Sequence, residues 1–326
     1  MMDQTLTNFN PTSSIDISFN AYVERRRQIE SKMLDGHNIP NYAYAMDYEL
    51  RKKLDAIPGL YKIGRKICAT AAARTTQRMM MDAVKVGPTQ FPDVYEMVQK
   101  CAKILGIGIP NVFIYSDPQL NAMTMAVDDI EPIIIIYSGL YERLTPGELL
   151  CTIGHECGHI HNLHGVYDML GTLLVNTALT GSSFISAELS QLLFAGADYA
   201  LKAWSRAAEV TCDRAGMICA DNLEDVYTGE AKYLYGATFK EQTIDYEALR
   251  DQLKRQVSTA VKYEELNSTH PSTARRIAAE MEFAECEVLY QWRPELKKPG
   301  ITMRSKKETD DRCRAYIDLT KKGLEE

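Results

Sequence analysis

Thr145-Pro146-Gly147-Glu148-Leu149-Leu150-Cys151-Thr152-Ile153-Gly154-His155-Glu156-Cys157-Gly158-His159 carries the start of a helix within it. Thr145 and Glu148 fit a capping box, in which each side chain accepts an otherwise orphaned backbone N–H. Pro146 stands in the first turn, where its missing N–H costs nothing. Gly165 is the expected stop. Inside this helix, His155 and His159 are four apart and share one face, with Glu156 beside them. Two imidazoles so placed converge on one tetrahedral cation, and the carboxylate suits a general base, which is what metal-assisted hydrolysis requires. On a continuing helix His161 is turned about 200° from His159 and His164 about 140°, so neither joins the metal face; both are expected behind the ligands or on the surface. The longer HExxHxxGxxH pattern is absent, since Asn162 and Gly165 stand where its Gly and third His belong. A third ligand has to come from elsewhere.

Downstream, Trp204 to Ala215 reads as a second helix with Glu209 and Asp213 one turn apart. Such an acidic pair is often a solvated face. Here it is embedded among Ala, Val, Cys, Gly and Ile, which favours a buried role: Glu209 as a metal ligand, and Asp213 as the group that hydrogen-bonds the far nitrogen of a ligand histidine. Upstream, apolar spacing predicts helices over 19–34, 44–57, 60–81 and 92–105. Short β-rich runs predict strands at 83–86, 111–115, 122–127 and 132–137. The expected fold is α+β and mostly α: a helical layer (19–81), a small sheet (83–137), the active-site helices (145–217) and a helical C-terminal part (222–298). These form one domain, flanked by a disordered 1–18 and a charged tail at 299–326.

The chain has 326 residues with 45% hydrophobic and 25% charged, a globular composition. Its formal net charge is -7 and it has no long basic run, which excludes a phosphate-tracking surface and hence nucleic acid as a partner. The eight cysteines lack CxxC pairs and fit reduced, buried thiols in a cytoplasmic protein. Residues 169–187 are uncharged and just long enough to span a bilayer, but their Ser, Thr, Gly and Asn content favours a buried helix or hairpin. A membrane-associated protein is the less favoured reading, and no signature of oligomeric state is evident.

HExxH followed by Ser205, Arg206, Glu209 and Asp213 resembles the gluzincin metallopeptidases related to HtpX and the CaaX prenyl endopeptidases. Asn121-Ala122-Met123 resembles that family's cleft-edge strand, Tyr137-Ser138-Gly139-Leu140 its turn into the active-site helix, and Ser268-Thr269-His270-Pro271 with Arg275 and Arg276 its Ser-Thr-His-Pro segment. The resemblance covers about residues 45–285. It implies a zincin-like fold with a small mixed sheet beside the motif helix, and Zn2+ held by His155, His159 and Glu209. It further implies a peptidase acting on peptide or unfolded polypeptide with Glu156 as general base, and Asn121, Ala122 and Met123 along the substrate. His270 is either a donor to the developing oxyanion or a cap on the metal. The several membrane helices of the prenyl-endopeptidase members are not matched here. The alternative function is a latent or weakly active metal-binding protein of the same fold with a chaperone-like role.

Overall fold

A computed structural model of the chain describes residues 16–24, 39–127, 130–171, 198–236, 244–253 and 259–319. Most of the stretch read as disordered (1–15) and most of the apolar stretch (172–187) lie outside the described residues, as does 25–34 of the first expected helix. Among the described residues no helix is long and apolar enough to cross a membrane.

The fold is α+β and mostly α, built around one four-stranded mixed sheet in the order β1-β2-β4-β3. β1 (Ala83–Lys85) and β2 (Asn111–Tyr115) are antiparallel, β2 and β4 (Ile133–Tyr137) parallel, and β3 (Ala122–Met125) antiparallel to β4. β4 is a continuous apolar run because both its faces are covered. Ile134 and Ile136 enter the main core, while Ile133 and Ile135 pack with Met79 and Phe113 on the other side. β3 is left at an edge, beside the motif helix.

The motif helix runs Pro146–His161 with the expected capping box at Thr145 and Glu148. It ends earlier than the glycine signal indicated. Asn162 closes it, its Nδ2 donating to the Gly158 carbonyl at 2.9 Å, and Leu163 takes a positive φ of 57°. Gly165 instead opens the next helical segment, 165–171. It is required there by contact, since a Cβ would stand 1.5 Å from the Ala126 carbonyl oxygen.

The second helix, Asp198–Cys219, is almost wholly buried from Trp204 onward. Gly154 and Gly158 let it lie close against the motif helix: a Cβ on either would come within 2.6 Å of Cys219 Cβ or 2.8 Å of Ala215 Cβ. This close approach brings the carboxylates of one helix to the imidazoles of the other. Helices Leu223–Tyr235 and Thr273–Phe283 close the same side.

Residues 306–317, within the expected tail, form a helix that buries Cys313, Tyr316 and Ile317 beside Ala278 and Ala279. All eight cysteines are free and buried.

Candidate metal and active site

The Nε2 atoms of His155 and His159 each lie 3.5 Å from a different oxygen of Glu209. Hydrogen bonds behind the rings decide which nitrogen carries the proton. Asp213 Oδ1 lies 2.8 Å from His155 Nδ1; a carboxylate only accepts, so Nδ1 keeps its proton, and Nε2 is the atom that offers a lone pair to a cation once the ring gives up its second proton. Behind His159 the chain of contacts is longer. Its Nδ1 is 3.3 Å from His164 Nδ1, and His164 Nε2 is 3.0 Å from Asp47 Oδ2. Asp47 also accepts from Trp204 Nε1 and Thr211 Oγ1, each at 2.8 Å. With His164 donating to Asp47, its Nδ1 accepts from His159, and the second Nε2 lone pair also faces Glu209.

Burial disfavours charge on both ligand-type histidines. It drives His159 well below the usual range. For His155 the Asp213 hydrogen bond and the Glu209 charge outweigh burial and raise the pKa to about 9. Burial also opposes the Asp213 carboxylate, but Arg276 and His155 hold it down at about 2. Two imidazole nitrogens and one carboxylate, buried and converging, suit zinc. Atoms of His159, Asp168 and Glu209 also lie within 4.8 Å of one another, as do those of His155, His159 and Cys212. The Cys212 thiol is pushed far up by burial, so it stays protonated.

Glu156 is buried beside this cluster, and Thr124 Oγ1 donates to its Oε2 at 2.5 Å. Burial raises its carboxyl above the usual range, against the pull of His155 and Thr124. The cavity above has a volume of about 240 Å³ and is lined by Asn121 and Ala122 on the sheet side and by His155, Glu156 and Glu209 at its floor. Met123 is not among the lining residues. Side chains alternate along a strand, so Ala122 and Thr124 face the motif helix and Met123 packs with the cluster of Met79 and Phe113.

His270 stands at the mouth, its side chain 62% exposed and its Nε2 3.7 Å from Glu209 Oε1. Ser268 Oγ donates to the His270 carbonyl at 2.8 Å and accepts from its N–H at 3.2 Å. Arg206 holds the approach to this turn by donating to the carbonyls of Leu266 at 3.0 Å and Ser268 at 2.8 Å. Arg276 spans Asp213 and Glu230, with Nε 3.0 Å from Asp213 Oδ2 and Nη2 3.0 Å from Glu230 Oε1.

The structure thus brings together His155, Glu156, His159, Glu209, Asp213 and His270, with Asn121 and Ala122 along one wall. Sequence reasoning missed Thr124 and Asp47, and it placed His164 on the wrong premise. His164 lies beyond the helix end and folds back beneath His159. Thr124, one residue from the Asn121–Met123 segment, is marked only by strand parity.

Residues 88–282 match the family model described as Peptidase family M48. The chain is 28% identical over 218 residues to the plastoglobule-localized metallopeptidase 48 of Arabidopsis thaliana chloroplasts, covering 66% of this chain and 61% of that protein. It is 32% identical over 105 residues to a Protease HtpX homolog of Moorella thermoacetica, 32% of this chain and 34% of that one. Over 231 residues it is 24% identical to a Protease HtpX homolog of Bifidobacterium longum, 63% of this chain and 74% of that one. The matched segments therefore span less than two thirds of the plant relative and about a third of the Moorella one. No solved structure matches.

Proposed function

Because the chain belongs to peptidase family M48, we propose that it is a zinc-dependent endopeptidase that hydrolyses peptide bonds in unfolded or flexible polypeptide. The observation that carries this reading is the pair of histidine Nε2 atoms aimed at Glu209 with the buried carboxyl of Glu156 alongside. A protein that only retained a metal would have no need of that carboxyl.

His155, His159 and Glu209 would hold the zinc, which supplies Lewis acidity to water and to the peptide carbonyl. The chain's own groups do the rest. Thr124 pins Oε2 of Glu156, so Oε1 is free to take a proton from the attacking water as the water oxygen bonds to the carbonyl carbon. The same carboxyl then passes that proton to the amide nitrogen as the C–N bond breaks. Asp213 and the His164–Asp47 pair keep both imidazoles in the tautomer that presents Nε2. The open edge of β3 suits an extended peptide added as a further strand, with Asn121 and Ala122 facing it. That geometry favours unfolded chain over a compact metabolite. Eight buried free thiols suit a reducing compartment such as the cytoplasm.

The position of His270 supports a donor to the developing oxyanion, since its Nε2 lies 3.7 Å from Glu209 Oε1 at the mouth of the cavity. The same 3.7 Å separation favours, as a second reading, a latent resting state in which His270 caps the site and the protein acts chiefly by binding.

The test is time-resolved cleavage of casein by the wild type and by Glu156→Gln, with bound zinc measured on each sample. Cleavage by the wild type alone, with one zinc in both, is the expected result. Zinc in both and cleavage by neither would replace the enzyme with the latent binder.

A further inference from the structure

The cavity continues past the catalytic cluster into a recess between the motif helix and helices Asp198–Cys219, Leu223–Tyr235 and Thr273–Phe283. Its lining is strongly acidic: Glu148, Glu156, Glu209, Asp213, Glu230 and Glu280 against the single guanidinium of Arg276. Most of these carboxylates have assigned partners. Glu209 faces the histidines, Lys232 Nζ lies 2.6 Å from Glu148 Oε2, and Arg276 is shared between Asp213 and Glu230. Two oxygens remain. Glu280 is only 2% exposed, and its Oε2 has no hydrogen-bond partner among the described residues; Glu230 Oε2 is buried and equally unpartnered among them. Carboxylate oxygens of Glu280, Glu230 and Asp213 lie within 4.8 Å of one another.

An unpaired buried acceptor is costly, and two at one spot are more so. An apolar side chain entering the recess would leave both oxygens unpaired, whereas a cation with several N–H donors would satisfy them together and match their charge. A guanidinium fits best: it is planar, delocalised and weakly hydrated, and its fork of donors can address two carboxylates at once. Tyr233 also lines the cavity. The recess begins directly behind His155, because Asp213 contacts both His155 Nδ1 and Arg276. Whatever enters it is therefore attached close to the reacting centre.

We propose that this recess is a subsite for a basic side chain, arginine before lysine, on a residue flanking the scissile bond, so that the enzyme cuts unfolded chains beside basic residues. The inference rests on the peptidase reading above for its cleavage part, and on the unpaired Oε2 atoms of Glu230 and Glu280 for its binding part. A divalent ion in the Asp213, Glu230 and Glu280 triad is the competing occupant.

The experiment uses matched peptides in which one residue is moved through the positions around the cut, as arginine, lysine or the uncharged isostere citrulline. Cleavage by the zinc-loaded wild type is measured alongside binding to zinc-loaded Glu156→Gln, which needs no turnover. The expected result is a preference for arginine over citrulline at one flanking position, at least about tenfold in both kcat/KM and affinity. Glu280→Gln and Glu230→Gln should bring that ratio down toward one, with folding checked by thermal melting and one zinc retained. Equal handling of arginine and citrulline, or a ratio that survives both Gln variants, overturns the proposal. Two bound metal ions in the wild type and one in Glu280→Gln would overturn it in favour of a second metal site. If no peptide is cut but arginine still binds Glu156→Gln preferentially, the peptidase reading fails while the basic subsite stands.

Discussion

His164 Nδ1 lies 3.3 Å from His159 Nδ1, and both rings are buried. With Asp47 fixing the far side of His164, the contact makes a histidine outside the motif the support of one inside it. Removing such a support typically lowers metal affinity about 10–100-fold. His164→Phe and Asp213→Asn are each expected to weaken zinc binding by that order, whereas Glu156→Gln should not. Competition against a chromophoric chelator reads the difference. Affinity in His164→Phe equal to wild type would show that His159 is held by packing alone.

Arg206 sits inside the second helix yet acts on a turn far away in sequence, through its bonds to the Leu266 and Ser268 carbonyls. Arg206→Ala frees those carbonyls and loosens the turn that presents His270. Hydrogen exchange over 265–270 should rise, and kcat/KM should fall by roughly tenfold with zinc content unchanged. Lost zinc in the variant would place the damage at Glu209 instead. Arg206→Lys should restore part of the loss, because both bonds leave from the single nitrogen Nη1, whose place an ammonium with three N–H donors can take.

What was legible in the sequence was local. Thr145, Pro146 and Glu148 specify a helix start within four residues, and His155 with His159, like Glu209 with Asp213, needs only helical spacing to share a face. The strands followed from β-branched runs with few competitors. What was hidden depends on partners far along the chain or on a one-residue parity. The Asp47 to His164 contact crosses more than a hundred positions, and nothing near Asp47 marks it as buried. Met123 was assigned to the cleft, whereas Asn121 and Ala122 line it and Thr124 reaches Glu156. The helix at 306–317 looked like solvated tail because of its charges, yet several are paired inside the fold: Arg312 with Glu282, and Asp310 with the buried Arg214.

The buried thiols predict a loss of stability on the alkaline side. Burial pushes Cys313 up to about 11, with Arg214 pulling the other way, and it also raises Cys101, Cys151 and Cys219. A thiol whose folded pKa exceeds its unfolded value stabilises the fold fully below the unfolded pKa, about 8.5, and loses that contribution as pH rises toward 11. For Cys313 the rise from about 8.5 to about 11 corresponds to ~3 kcal/mol. Urea unfolding under reducing conditions should show wild-type stability falling between pH 8 and 10.5 more steeply than that of Cys313→Ala. Equal slopes would place the ionisation elsewhere. Iodoacetamide at pH 8 should leave the native chain largely unlabelled and modify all its thiols after unfolding.

The close crossing of the two ligand-bearing helices gives the sharpest stability test. A methyl at Gly158 would meet Ala215 Cβ at 2.8 Å and Cys212 Cα at 3.1 Å, and neither neighbour is a flexible side-chain end. The helices must therefore separate by some tenths of an ångström, and the gain in helix propensity from Gly to Ala, about 1 kcal/mol, works against that cost. Overpacking should win, leaving Gly158→Ala less stable by about 1–2 kcal/mol. Separation also draws Glu209 away from His155 and His159, so zinc affinity should fall with stability, although no ligand has been touched. Gly87→Ala is the control, since a Cβ there meets nothing within 4 Å; it should leave both quantities near wild type. Chelator competition and thermal melting on the same preparations decide the matter. A Gly158→Ala protein that melts lower but binds zinc as tightly as wild type would mean that the ligand geometry is set by the metal and not by the helix crossing.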